Sequence, residues 1–261
     1  MLAAALTMCL LTFKAQTPTR RAAATAVDVY DGFETPALSK LWERSRFEAS
    51  AVVMESKVVR AGHQAVAITV APNDMFEAGQ NGSADSERDE LMEARTLTAL
   101  EGKSYEQSFS MFFPMDFPIV PTRLVIAQWK QYCGADDGPC SDDSPVLALR
   151  YIGGTLLITQ DINKKHLVLY QDNTEFRGHW LDFKVRVRFS PDVTGHVKVW
   201  LGDKVLVDHT GVTADAETAE TGYASPSRFY FKMGLYRNMM KEPMTVYIDE
   251  YRKREIPDAD L

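Results

Sequence analysis

The chain reads as an all-β protein, a two-sheet antiparallel β-sandwich. Short runs of alternating apolar and polar residues recur from Val27 onward, turn residues punctuate them, and almost nothing carries helical periodicity. In order, the runs are AVVMESKVV, HQAVAITVA, SYEQSFSMFF, TRLVIAQWKQY, PVLALRYI, GTLLITQ, HLVLYQ, WLDFKVRVRF, GHVKVWLG, KVLVDHT, RFYFKMGLYR and MTVYIDEYR. Clusters such as APND, GADDGP, YIGGT and SPDVTG separate them, and LGDKV between two alternating runs is a tight-hairpin signal. One segment, DSERDELMEARTL, invites a helical reading, although it stands between strands. About a dozen strands at intervals of roughly ten residues suit two packed antiparallel sheets.

The 261 residues are 45% hydrophobic and 25% charged, ordinary for a globular chain with a sizeable core. No linker, repeat or change of composition divides residues 27–261, so they are expected to form a single domain. Residues 1–26 differ. Leu2 to Phe13 is an apolar run, followed by Lys14, Arg20, Arg21 and an alanine-rich stretch in which Ala24-Thr25-Ala26 suits signal-peptide cleavage. No basic residue precedes the apolar run, which departs from the usual pattern. Residues 1–26 are therefore read as a signal peptide, and the protein as secreted or periplasmic. The run is too short for a permanent membrane anchor, so no membrane association is expected after cleavage.

Without that leader the formal net charge moves from −7 to −10, because Lys14, Arg20 and Arg21 go with it. An acidic body argues against nucleic acid as a partner, though a local basic groove can still take a polyanionic sugar. A monomer is expected. Cys133 and Cys140 bracket the polar loop YCGADDGPCSDD, and in an exported protein they suggest a disulfide. A metal site there would need further soft ligands, and the five histidines show no metal-ligand spacing.

Three segments carry candidate chemistry. In RFYFKMGLYRN, strand alternation puts Phe229, Phe231, Met233 and Leu235 on a core face and Tyr230, Lys232, Gly234 and Tyr236 on the other. Phenols, an ammonium and a glycine gap on one face suit a sugar groove, with the glycine allowing close approach. The plain alternative is a face that carries amphipathic residues to water. In TRLVIAQWKQY, Val125, Ala127 and Trp129 are expected inward, with Ile126, Gln128, Lys130 and Tyr132 opposite. In SERDELMEAR, Arg88 and Glu90 share a face if the segment is extended, so that Glu90 can hold the Arg88 fork toward a carboxylate.

Together these segments resemble the jelly-roll polysaccharide lyases. The alginate-lyase patterns RxE(L/V)R, Q(I/V)H and YFKAGxYNQ correspond to RDELM at Arg88–Met92, QWK at Gln128–Lys130 and YFKMGLYRN at Tyr230–Asn238, in the same order. DGFE at Asp31–Glu34, the stretch GHWLDFKVRVRFS with VKVW, and the terminal TVYIDEYR resemble the heparin-lyase and glucuronan-lyase relatives, so the likeness spans roughly residues 28–255.

The resemblance implies a concanavalin-like β-jelly roll and β-elimination on a 1,4-linked uronic-acid polysaccharide, glucuronan- or heparin-like or alginate, leaving 4,5-unsaturated ends. It casts Tyr236 as the proton-transfer residue and Gln128, Lys130 and Arg88 as neutralisers of the uronate carboxylate. Glu90, Tyr230, Lys232, Arg237 and Tyr132 become substrate contacts. Lys130 stands where the family has histidine. An ammonium neutralises a carboxylate as well as imidazole but is a poorer base, so Tyr236 must serve as base and acid, or His63 or His179 must supply the base. No cofactor is required for the chemistry. A structural calcium ion held by Glu34 and Asp249 is expected by the same likeness, since hard cations prefer oxygen ligands.

Two other classes of function compete with the lyase. One is a carbohydrate-binding module without catalysis. The other is a glycoside hydrolase using Glu90 and Glu93, which strand alternation would place on opposite faces. The glucanase pattern ExDxxE fails at Met92, and no GxSxG elbow, phosphate loop or dinucleotide fingerprint occurs.

Overall fold

The computed structural model describes residues 26–77, 85–132, 144–216 and 226–261. Residues 1–25, all but the last residue of the expected signal peptide 1–26, and the pair Cys133 and Cys140 lie outside the described residues. The strands are β1 (Asp28–Asp31), β2 (Trp42–Glu43), β3 (Val52–Glu55), β4 (Ala65–Val70), β5 (Ser86–Glu93), β6 (Ala99–Leu100), β7 (Ser104–Phe112) and β8 (Leu124–Gln131). They continue with β9 (Leu147–Ile152), β10 (Thr155–Ile162), β11 (Lys165–Asp172), β12 (Trp180–Arg188), β13 (His196–Leu201), β14 (Lys204–Thr210), β15 (Arg228–Asn238) and β16 (Met244–Ile256).

Two antiparallel sheets face each other, as expected from the alternation. The first runs β14-β13-β12-β7-β16-β4-β3 with β1 on β16, and the second runs β11-β10-β9-β8-β15-β5-β2 with β6 on β15. Consecutive strands β9 to β11 and β12 to β14 pair as hairpins: two-residue turns join β9 to β10, β10 to β11 and β13 to β14, and the longer loop 189–195 joins β12 to β13. At the LGDKV turn, Leu201 pairs with Lys204 and Gly202 supplies the positive φ of 56° that the turn requires. The central strands come from distant parts of the chain: β15 lies between β5 and β8, and β16 between β4 and β7.

Between the sheets lies one apolar core. The Phe231 ring of β15 packs at a tilt 5.5 Å from Phe109 of β7 and 4.8 Å from Trp129 of β8, and Phe109 lies 5.5 Å from Phe183 of β12. Phe229, Phe231, Met233 and Leu235 all belong to this core, so β15 keeps the alternation read from its sequence.

Two segments depart from the reading. The stretch open to a helical reading is β5, with a single 3-10 turn at Arg95–Leu97 beyond it. Its residues are good helix formers in isolation, but pairing with β15 and β2 decides its state. In β8, register shifts against both neighbours place Ile126 and Ala127 together in the core and leave Val125 opposite Tyr236 and Arg150. The expected positions of Val125 and Ile126 are therefore exchanged. The cause is a bulge, which reverses alternation on one side of itself.

Candidate active site

Register across the second sheet decides which side chains meet. Tyr236 of β15 pairs with Arg88 of β5 and Val125 of β8; Lys232 pairs with Gln128, Tyr230 with Lys130, and Gly234 with Glu90. Successive side chains in a strand point to opposite faces, so Arg88, Glu90, Gln128, Lys130, Tyr230, Lys232 and Tyr236 share the outward face. Three segments far apart in the sequence thus supply one surface.

Glu90 is its centre. It is 1% exposed and accepts hydrogen bonds from Lys232 Nζ at 2.8 Å and from Gln128 Nε2, with Arg88 Nη1 at 3.9 Å. Burial pushes the Glu90 carboxyl up, but Lys232, Arg88 and Gln128 outweigh it and hold the group below its ordinary range. Lys232 does not move in mirror image. Burial, with Arg88 and Lys130 nearby, brings its ammonium down to about 8 against the attraction of Glu90. The difference has a physical reason: Glu90 shares its charge among three donors, whereas Lys232 has one acid and two cationic neighbours.

Tyr236 lies beside this group, partly exposed, with the Arg88 guanidinium 4.3 Å and the Arg123 guanidinium 4.5 Å from its ring centroid. Lys232 Nζ is 6.0 Å from the same ring. Arg88 also forms an ion pair with Glu77. At the other end, the tilted rings of Tyr132 and Tyr230 lie 4.4 Å apart between centroids, with Arg95 and Arg228 each 5.9 Å from the Tyr132 ring.

Arg237 does not join them. It is fully buried on the opposite side of β15, with Nη2 2.8 Å from Glu87 and Nη1 donating to the Glu242 carbonyl at 2.6 Å. As an odd-numbered neighbour of Tyr236 it must point between the sheets, which removes it from the expected sugar contacts. Gly234 also differs from expectation. With φ of 136°, a Cβ there would stand 2.4 Å from the Asp89 carbonyl oxygen and 2.9 Å from Glu90 Cα, so the missing side chain lets β15 approach β5. Its closeness serves the strand pairing that seats Glu90.

Glu93, the second carboxylate of the hydrolase alternative, also points between the sheets. It accepts from Lys253 Nζ at 2.7 Å, Gln107 Nε2 at 2.9 Å and the Tyr251 hydroxyl. The alternative bases lie elsewhere too: the His63 backbone N–H donates to Glu34 in a loop beside β16, and His179 leads into β12 of the first sheet.

The carboxylates expected to hold calcium do not fit that ion. Glu34 Oε1 accepts the N–H groups of His63 at 2.8 Å and Gln64 at 3.2 Å. Asp249 accepts those of Arg60 at 2.9 Å, Ala61 at 3.2 Å and Glu250 at 2.8 Å. N–H donors present positive charge where a cation needs oxygens. Among the described residues no three His, Cys, Asp or Glu side chains gather as a metal site.

A cleft of about 380 Å³ on the first sheet is polar but closed on itself: Arg60 grips Asp182 with two bonds of 2.9 Å, and Tyr30 donates to Glu250 at 2.6 Å. The outward face of the second sheet differs in holding more cations than acids. Sequence reasoning missed Arg123, which lies over Tyr236, and Arg150, which stands across Val125 from it. Arg150 was visible as the lone charge in PVLALRYI, but nothing local showed which strand it would face.

The profile of the polysaccharide lyase family matches residues 32–252, nearly the whole sandwich. The chain belongs to the polysaccharide lyase family. Solved structures agree with this in fold. An endo-β-1,4-glucuronan lyase from the fungus Trichoderma reesei superposes with a TM-score of 0.60 at 20% identity, over 78% of this chain and 87% of that one. The alginate lyase AlgAT5 of polysaccharide lyase family 7 gives 0.54 at 14% identity, covering 80% and 84%. An alginate lyase from Corynebacterium sp. gives 0.52 at 17%, covering 80% and 82%. A search of curated proteins returned no sequence match. Among the lyase's described residues, no helix is long and apolar enough to cross a membrane.

Proposed function

We propose that this polysaccharide lyase acts outside the cell on a 1,4-linked uronic-acid polysaccharide, cutting it by β-elimination. The observation that carries the reading is the convergence of Arg88, Gln128, Lys130 and Lys232 beside Tyr236 on one face of three adjacent strands. The C5 proton of a uronate is barely acidic while the neighbouring carboxylate keeps its full charge. Fixed donors on that carboxylate stabilise the enolate-like charge that develops as the proton leaves. Gln128 donates one amide hydrogen to Glu90 and keeps the second for substrate; Lys130 and Arg88 add positive charge.

Tyr236 exchanges the protons. Reacting as the phenolate, it takes the proton from C5; the electron pair left behind forms the C4=C5 double bond as the C4–O4 bond breaks, and the phenol so formed returns that proton to the departing O4, which restores the phenolate. With His63 and His179 placed elsewhere, both transfers fall to this one phenol. Glucuronan is the favoured polymer, because the structural likeness is greatest to a glucuronan lyase among the neighbours named.

The test is ultraviolet absorbance of unsaturated uronides when the purified protein meets glucuronan, alginate, heparin and hyaluronan. A rise on glucuronan is expected. New reducing ends without absorbance would mean hydrolysis, and binding without either would mean a carbohydrate-binding module.

A further inference from the structure

The outward face carries positive charge on both sides of Tyr236, and the proposed chemistry uses only one side. Along β8 the order is Lys130, Gln128, Val125 and then Arg123 just before the strand. The first two belong to the group around Glu90. Val125 pairs with Tyr236 on one side and Arg150 on the other, so the bulge in β8 puts a small side chain between the phenol and that guanidinium.

Arg123 stacks over Tyr236, and among the described residues it makes no ion pair. Its Nε is buried without a hydrogen-bond partner. Arg150 donates through Nε to Thr159 Oγ1 at 3.0 Å, and its Nη2 is 3.5 Å from Asp161, an acid already engaged by His166 at 2.7 Å. Arg123 and Arg150 repel each other, and burial opposes the Arg150 charge as well. Two neighbouring guanidiniums, of which only Arg150 has an acid partner among the described residues, are unfavourable in an empty site and favourable once an anion sits between them.

We propose that Arg123 and Arg150 form a second oxyanion-binding subsite, which takes the carboxylate or sulfate of another sugar on the same polysaccharide. The inference rests on the lyase reading for its ligand and adds a demand: the enzyme grips two charged sugars, one on each side of Tyr236. From Gln128 to Val125 is three residues, roughly 10 Å of extended strand, so the second anion belongs to a sugar close along the chain. A polymer charged at every unit satisfies that demand wherever it binds. A chain with one isolated uronate does not.

Calorimetric titration of the Tyr236→Phe protein tests this, because the ring that Arg123 covers is kept while turnover is blocked. The probes are tetraglucuronate, a heparin tetrasaccharide, and cellotetraose carrying a single uronate. Adding Arg123→Gln or Arg150→Gln should weaken tetraglucuronate at least about tenfold, the weight of one charge-assisted hydrogen bond, and leave the single-uronate probe within about twofold. Arg123→Lys, which keeps charge and loses the fork, should fall between. Loss confined to the heparin probe would identify sulfate as the anion. Equal affinity of all variants for both polyanions, or no binding of either by the parent protein, would overturn the subsite. The wild-type absorbance assay separates the two ideas: absorbance without any effect of the arginine variants keeps the lyase and discards the subsite. Arginine-dependent binding without absorbance does the reverse.

Discussion

Two faces of the same strands handle charge in opposite ways. Between the sheets, Glu87 of β5 meets Arg237 of β15 at 2.8 Å and Glu93 meets Lys253 of β16 at 2.7 Å, all at most 1% exposed. One residue away, on the outer side, Arg88, Lys130 and Lys232 gather with Arg123 and Arg150 around the acids Glu77, Glu90 and Asp161. An unpaired charge between the sheets would be severely destabilising, so charges there are matched pair by pair. On the outer face an excess of cations persists, and on the reading proposed above a substrate anion completes it. Residue type alone does not tell the two apart; what surrounds the charge does.

The largest expected effect separates the faces by activity. Tyr236→Phe should lower kcat on glucuronan by about a thousandfold, within the range for losing a proton-transfer group, with no change in Tm. Next comes the inner face: Glu87→Ala strands the buried Arg237 and should cost about 3–5 kcal/mol in denaturant unfolding. If Glu87→Ala proved harmless to stability, the contrast between the faces would fail.

Glu90→Gln, on the outer side of the same strand, should instead reduce kcat/KM about tenfold to a hundredfold, because it loosens Lys232 and Gln128. A variant that lost stability but kept kcat/KM would make Glu90 merely structural. A smaller effect is on pH. The Lys232 ammonium, brought to about 8 by burial, is charged below that pH and neutral above it, so KM should rise several-fold as pH passes through about 8. Lys232→Arg should flatten that rise.

A test of stability alone concerns Asp89, which faces inward on β5, fully buried. Burial, with Asp74 close by, pushes its carboxyl up to about 8 from an ordinary 3.8, although the Glu48 N–H opposes this. The folded protein therefore holds a proton that the unfolded chain releases, and wild-type stability declines as pH climbs from about 4 to about 8. Asp89→Asn should gain Tm relative to wild type across that window. A difference independent of pH would show that Asp89 does not carry the proton.

Much of the site was legible along single strands. RFYFKMGLYR separates Tyr230, Lys232 and Tyr236 from the core residues by alternation alone, and β15 obeys it. Arg88 and Glu90 likewise share a face once β5 is extended. The misreadings occur where alternation is interrupted or where a partner lies in another strand. The bulge in β8 moved Ile126 into the core, and Arg237, counted among sugar contacts for its neighbourhood, obeys parity and turns inward to Glu87. Glu34 and Asp249 offer the right atoms for calcium, but in the structure backbone N–H groups of the loop after β3 donate to Glu34 Oε1 and Asp249 Oδ2.

By itself the sequence determined the β-sandwich, the strand faces and the three motifs, because period-two alternation is a local property of the chain. Only the tertiary structure decided that β15 lies between β5 and β8 in a register that sets Tyr236 against Arg88 and, across Val125, beside Arg150. Register is a long-range pairing with no local signal. Slipping it by one residue would exchange every inner and outer charge.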